Sequence, residues 1–226
     1  LSAHLDQVRT NGRAVHFFLR DDTIHGYNCL YEHTSLGGDD KNGVWIILKC
    51  LEAGIDIDFV ISAGEECGCV GIRDLEEANV LDNIFPDRFC IVLDRRGNWD
   101  VLEGGSASTY CKTLAQDICN YLVAKDPDNN YKVTTGSLSD TATLCMYCES
   151  VNMSVAYDSP HSSSETTNWK QLQKILEDVK LLCTEFVHYS TDPTVYVYKS
   201  KYNTYNFYSG KDKKNGKESD PYLYEW

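Results

Sequence analysis

His4 and Asp6 stand two residues apart, so in an extended segment both side chains fall on one face. The aspartate can then hold one ring nitrogen while the other binds a metal, although the pair alone reads first as a surface histidine beside an acid. In Leu36-Gly37-Gly38-Asp39-Asp40-Lys41-Asn42-Gly43 two acids follow two glycines where a helix should begin. Asp40 suits a helix N-cap, and the pair also suits carboxylates thrust into a metal site. Ser62-Ala63-Gly64-Glu65-Glu66-Cys67-Gly68 sets two glutamates directly after a β-branched run. Buried carboxylates need a partner, for which a cation would serve; a solvated loop would need none. Asp94 follows the apolar Val92-Leu93, and His161 closes Tyr157-Asp158-Ser159-Pro160-His161, with Glu165 four residues on. The ordered set is His, Asp, Glu-Glu, Asp, His. Imidazole mixed with carboxylate suits zinc, and one carboxylate can bridge two ions. A glutamate beside a liganding one can act as general base.

The elements that must position these groups alternate between strand and helix. Strand patterns cover Ser2 to Val8, Ile57 to Ala63, Phe89 to Leu93 and Val151 to Ala156, and Trp99 to Leu102 reads as a strand beside Phe89 to Leu93. Helical patterns cover Lys41 to Ala53 (Val44, Ile47, Leu48 and Leu51 on one face, Gly54 as the stop), Ile72 to Asn79 and Ser108 to Ala124. Further helices are expected over Ser139 to Cys148 and, with Leu172, Ile175, Leu176, Val179, Cys183 and Phe186 on one face, over Trp169 to Val187. This alternation predicts an α/β fold, a three-layer α/β/α sandwich around a mixed, mostly parallel sheet. The acidic and histidine clusters mostly fall at strand ends, where such sheets form their ligand crevice.

A net charge of −13 opposes nucleic-acid binding and docking on an anionic membrane. The most apolar region, Val44 to Ala63, is broken by Lys49, Glu52, Asp56 and Asp58, so no membrane span is expected. Ten cysteines in 226 residues are too few for a disulfide scaffold, and most sit in apolar runs. They read as buried hydrophobes in a reducing compartment, the cytoplasm. Cys145 and Cys148 form a CxxC with no good second pair, since Cys67 and Cys69 are spaced C-x-C. From about Ser190 the chain turns rich in Tyr, Lys and Asn. Residues 1–190 are expected to form one domain and 191–226 an extension, either an edge strand pair or a partly ordered tail.

Five segments in order, AHLDQV (3–8), GGDDKNG (37–43), FVISAGEECGCVG (59–71), VLDRRG (92–97) and YDSPHSSSE (157–165), resemble the co-catalytic zinc aminopeptidase superfamily. That group includes leucyl, tripeptide and tetrahedral aminopeptidases and carboxypeptidase G-like enzymes. The resemblance implies that His4 and Asp94 bind one zinc, Glu66 and His161 the other, and Asp39 bridges them. It implies that Asp6 orients His4 and that Glu65 is the general base toward a metal-bound water. It also implies a cis peptide at Asp39–Asp40 and places Ser139-Asp140-Thr141 near the substrate pocket. Cobalt or manganese would satisfy similar ligands.

The intervals 4–39 and 94–161 are too short for the inserted domains of some relatives, so the compact single-domain form is expected. Only three residues precede His4, whereas the family has further elements there; either the chain is truncated or the tail fills that sheet edge. The implied activity is hydrolysis of an amino-terminal peptide bond in a peptide or aminoacyl substrate. The alternatives are a related amidohydrolase or carboxypeptidase-type deacylase, a glutaminyl cyclase-like enzyme, and an inactive binding module on the same fold.

Overall fold

Burial along Cys90–Arg95 defines the two faces of the central sheet. Ile91 and Leu93 enter one apolar cluster, and Cys90 and Val92 enter another. A strand whose alternate residues are both apolar is covered on both sides. The computed structural model describes residues 1–84, 88–105, 108–111 and 113–186. In chain order the elements are β1 (Ser2–His4), β2 (His16–Arg20), β3 (Thr23–Tyr27), α1 (Gly38–Glu52), β4 (Val60–Ser62), α2 (Val70–Glu77), α3 (Leu81–Ile84), β5 (Cys90–Arg95), β6 (Asp100–Gly105) and β7 (Ser108–Thr109). They continue with α4 (Leu114–Lys125), β8 (Lys132–Gly136), α5 (Thr141–Leu144), β9 (Ser150–Ser154), β10 (Tyr157–Asp158), β11 (Thr166–Asn168) and α6 (Trp169–Thr184).

The main sheet has seven strands in the order β4-β1-β5-β9-β6-β7, with β8 also paired to β6. The β1/β4, β1/β5, β5/β9 and β6/β8 pairs are parallel, while β6 runs antiparallel to β9 and β7. Side chains of α1, α4 and α6 pack with Ile91 and Leu93 on one face, and those of α2 and α5 pack with Cys90 and Val92 on the other. This is the expected three-layer α/β/α sandwich. No helix among the described residues is long and apolar enough to cross a membrane.

Several details differ from the sequence reading. Trp99 to Leu102 does not pair with β5, because β9 lies between β5 and β6. The buried face of α1 is Gly43, Ile46, Ile47 and Cys50, whereas Leu48 and Leu51 are exposed. Gly43 decides this: a Cβ there would stand 2.2 Å from the Leu93 carbonyl, so this side of the helix lies against β5. The expected strand over Ile57 to Ala63 is only three residues long, and Ser108–Thr109 is a strand ahead of α4 rather than its first turn. No strand or helix pattern marks the segment between Val8 and Leu36 in the sequence. It holds the β2–β3 hairpin, which joins β11 and β10 in a second, antiparallel sheet.

The cysteines are free thiols: Cys50, Cys69, Cys90, Cys111, Cys119 and Cys148 are buried, and Cys29 and Cys67 are exposed. Among the described residues, no cysteine joins a group able to hold a metal. The Tyr/Lys-rich extension, 191–226, lies outside the described residues.

Candidate metal centre

Parallel strands β1, β4 and β5 end at the same edge of the sheet, with His4 level with Ser62 and Ser2 level with Val92. His4 ends β1, Glu65 and Glu66 follow β4, and Asp94 sits near the end of β5. The start of α1 brings Asp39, and the loop after β10 brings His161. Crevices of open α/β sheets form at this edge because the chain there turns away to reach the next helix.

Asp39 is the centre of the cluster. Its Oδ1 lies 3.1 Å from Nε2 of His4, and its Oδ2 lies 3.3 Å from Nε2 of His161. Asp94 Oδ1 stands 3.5 Å from His4 Nε2, and Glu66 Oε1 stands 2.8 Å from His161 Nε2. Single donor atoms of His4, Glu65 and Asp94 lie within 4.8 Å of one another, as do those of His4, Asp39 and Glu66. The sequence-derived set therefore converges on one place. The Asp39–Asp40 peptide is cis, as the resemblance implies.

The support beneath these residues is specific. His4 Nδ1 lies 3.0 Å from the carbonyl oxygen of Asp6, and the Asp6 carboxylate stands farther off at 3.5 Å. Asp6 thus holds the ring chiefly through its main chain, not through its side chain as expected. Its carboxylate accepts instead the backbone N–H groups of Gly64, Glu65 and Glu66 at 2.7, 3.1 and 3.1 Å, which fixes the loop carrying the two glutamates. Gly64 has φ +76, which favours glycine in this turn.

Asp40 caps the regular part of α1, as its position in the sequence suits: its backbone is non-helical and its buried carboxylate accepts the N–H of Gly43, three residues on, and that of His4, both at 3.1 Å. Glu165, also buried, accepts N–H from Gly37 at 2.8 Å and from Asp39 at 3.0 Å. The sequence reading noted Glu165 only by its distance from His161. The one signal for its role was an acid on the same segment as the histidine.

The electrostatics favour a cation. Burial pushes the Glu65 carboxyl up to about 8, with the charges of Asp94, Asp140 and Glu66 adding to the effect. Burial likewise pushes Asp94 up to about 6, reinforced by Asp39, and raises Glu66 and Asp40. Burial also acts against the charge on His4, but the carboxylates of Asp39, Asp6 and Asp94 outweigh it and favour the imidazolium. With Nδ1 directed at a carbonyl, a neutral His4 turns the lone pair of Nε2 toward two carboxylates. A divalent ion among these atoms would offset that repulsion, so the donor set fits hard or borderline metals.

A cavity of about 460 Å³ opens over the cluster. Asp39, Glu65, Glu66, Asp94 and His161 form its acidic end, and Arg95, Arg96 and Ser137 to Ser139 also line it. Ser139 therefore reaches the cavity, as expected of that segment. Asp140 is buried instead, where Ser62 donates a hydrogen bond to it at 2.5 Å. Arg95 is held by Asp100 at 3.2 Å, and Arg96 is exposed.

No family model matches the chain, and no curated protein sequence matches it. Solved structures do match. Aminopeptidase PepT from Bacillus cereus superposes with a TM-score of 0.63 at 14% identity, over 80% of this chain and 79% of that one. A tripeptidase from Staphylococcus aureus gives 0.61 at 14% identity, over 80% and 79%. The TET1 peptidase of Pyrococcus horikoshii, which assembles into a tetrahedron or an octahedral shell, gives 0.56 at 16%, over 75% of this chain and 53% of that one. The chain thus has the α/β fold of these peptidases and spans about half the length of the last.

Proposed function

We propose that this chain is a metal-dependent exopeptidase that uses two divalent ions, zinc in the first instance, to remove an amino-terminal residue. The observation that carries the reading is the Asp39 carboxylate, whose two oxygens address two different histidines at 3.1 and 3.3 Å. In this reading His4 and Asp94 hold one ion, Glu66 and His161 hold the other, and Asp39 is shared. Bound ions of this kind polarise a scissile carbonyl and acidify water.

The protein's own part is acid–base and positional. Glu65 takes a proton from the attacking water and returns it to the leaving amine. Its raised proton affinity, from burial and the neighbouring carboxylates, suits a group that must hold that proton between the two steps. Asp6 keeps the Glu65–Glu66 loop in place, and Glu165 keeps Asp39 in place. The acidic end of the cavity attracts the cationic terminus of a peptide.

A second reading, removal of a carboxy-terminal residue or of an N-acyl group, is favoured by the arginines. Arg95 and Arg96 line the same cavity and suit a substrate carboxylate. A panel of free-amine peptides, N-blocked peptides and aminoacyl amides, run with zinc-loaded protein, separates the two. Cleavage restricted to free amino termini supports the first reading, and cleavage of N-blocked substrates supports the second. A zinc-loaded protein that cleaves neither overturns both readings and leaves the cyclase-like enzyme and the inactive binding module.

A further inference from the structure

The β2–β3 hairpin exposes a run of large apolar side chains. Phe17 is 59% exposed, Phe18 50% and Leu19 61%, with Val15, Leu30 and Tyr31 exposed beside them. Their strand, β2, is the last of its sheet: β3 covers one edge and, among the described residues, the other is open. Natural edges are usually blunted by proline, a bulge or a mid-strand charge. His16–Arg20 has none of these before Arg20 and keeps unbroken register with β3 over five residues.

The turn determines which backbone groups are free. Asp21 and Asp22 have φ of 48 and 62, as in a two-residue type I′ turn. Such a turn closes on a hydrogen-bonded pair, here Arg20 with Thr23. Bonding alternates along an antiparallel ladder, so His16, Phe18 and Arg20 bond to β3. Phe17 and Leu19 then direct their N–H and C=O outward.

We propose that this edge pairs with the same edge of a second copy of the chain, antiparallel about a two-fold axis at Phe18. That operator sets Phe17 opposite Leu19 of the partner subunit, and Leu19 opposite Phe17 of the partner subunit. Both residues of each pair carry free N–H and C=O groups, so each pair closes two main-chain hydrogen bonds. Phe18 meets Phe18 of the partner subunit as a non-hydrogen-bonded pair, with Cβ atoms about 4.5–5.5 Å apart.

Self-pairing is favoured over a foreign strand because one register matches everything at once. The free backbone groups meet, Phe18 packs on its own equivalent, and Phe17 and Leu19 continue an apolar surface on the other face. The exposed side chains of Phe17, Phe18 and Leu19, with Val15, Leu30 and Tyr31 beside them, supply apolar surface on both faces for the pairing to cover. The sheet so extended is the one whose β10 leads into His161, and Thr10, ahead of the hairpin, donates to the His161 carbonyl at 3.2 Å. The pairing does not depend on the proposed activity.

Sedimentation velocity on the chain, from about 1 to 100 µM, tests it. A concentration-dependent dimer is expected. Phe17→Lys and Leu19→Lys each place a charge on the open edge and should raise the dimer dissociation constant about 100-fold or more. At concentrations low enough for both proteins to be monomeric, their thermal midpoints should match the wild type, because both positions already face solvent. With Cys29→Ser and Cys67→Ser removing the exposed thiols, Phe18→Cys should form a disulfide-linked dimer on mild oxidation, and Phe17→Cys should not. A monomer over the whole range overturns the proposal. So does a dimer whose affinity neither lysine variant changes, or one in which Phe17→Cys links as readily as Phe18→Cys.

Discussion

Glu165 is bonded to Asp39 across 126 positions of sequence, its Oε1 accepting the Asp39 N–H at 3.0 Å. The same carboxylate accepts the Gly37 N–H through Oε2. One buried acid thus ties the segment that carries His161 to the loop that carries the shared carboxylate. Its placement sets the distance between two groups that, in the proposed assignment, act on the same ions.

Replacing Glu165 by Gln tests that role. An amide keeps one acceptor but turns an NH₂ group toward a backbone N–H, so one of the two bonds is lost. Zinc affinity should fall about 10–100-fold, as for other groups that orient metal ligands. Stability should fall by about 1–3 kcal/mol, the cost of an unsatisfied buried donor. Competition with a chromophoric chelator reads the first and thermal unfolding the second. Wild-type zinc affinity in this variant would mean that Asp39 is held without Glu165.

Metal content follows from the proposed sharing of Asp39 between two ions. Protein prepared without chelator should carry two zinc equivalents by elemental analysis. Stripping them should lower the thermal midpoint, and zinc added back should restore it. An ion at 1,000 times its dissociation constant stabilises by about 4 kcal/mol, a shift calorimetry resolves easily. One equivalent would leave either the His4 or the His161 half of the cluster without an ion, and the shared role of Asp39 would fail.

How much of this was legible depends on where the information lies. The central strands and the site clusters were readable because each is local: a β-branched run followed at once by acids or a histidine. Ile57 to Ala63 followed by Glu65-Glu66 is one such unit, and Val92-Leu93 followed by Asp94 is another. Tertiary pairings were not readable. Nothing near Glu165 announces that it bonds to Gly37 and Asp39, and the three N–H groups on Asp6 come from a loop nearly 60 positions away. The buried face of α1 was misjudged because hydrophobicity alone favoured Leu48 and Leu51, while the close approach at Gly43 decided it. The β2–β3 hairpin escaped because its turn is Asp21-Asp22, without the glycine that usually marks such turns.

The paired glycines before Asp39 are not interchangeable with alanine. A Cβ on Gly38 would stand 2.7 Å from Thr167 Oγ1 and 3.0 Å from Tyr157 Cβ, so the loop bearing Asp39 must move. Gly38→Ala should cost about 1–3 kcal/mol and weaken zinc binding as well. Gly54→Ala is the matched control. Nothing lies within 4 Å of its Cβ, but its φ of +73 carries a backbone cost of about 1–2 kcal/mol. That variant should lose stability and keep its zinc affinity. If both variants bind zinc equally well, the packing at Gly38 does not position Asp39.

Glu65 separates chemistry from metal binding. Glu66, Asp39, Asp94 and the two histidines supply the ligands in the proposed assignment, so Glu65→Gln should keep both zinc equivalents. An isosteric amide still fits the loop fixed by Asp6, which holds Glu65 by its backbone N–H rather than by its side chain. It cannot take a proton from the attacking water, and turnover should fall about 10²–10⁴-fold. The Michaelis constant should change little, because substrate contacts elsewhere in the cavity are intact. Loss of one zinc in this variant would make Glu65 a ligand and move the base elsewhere. Full activity with both ions in place would remove it from the mechanism.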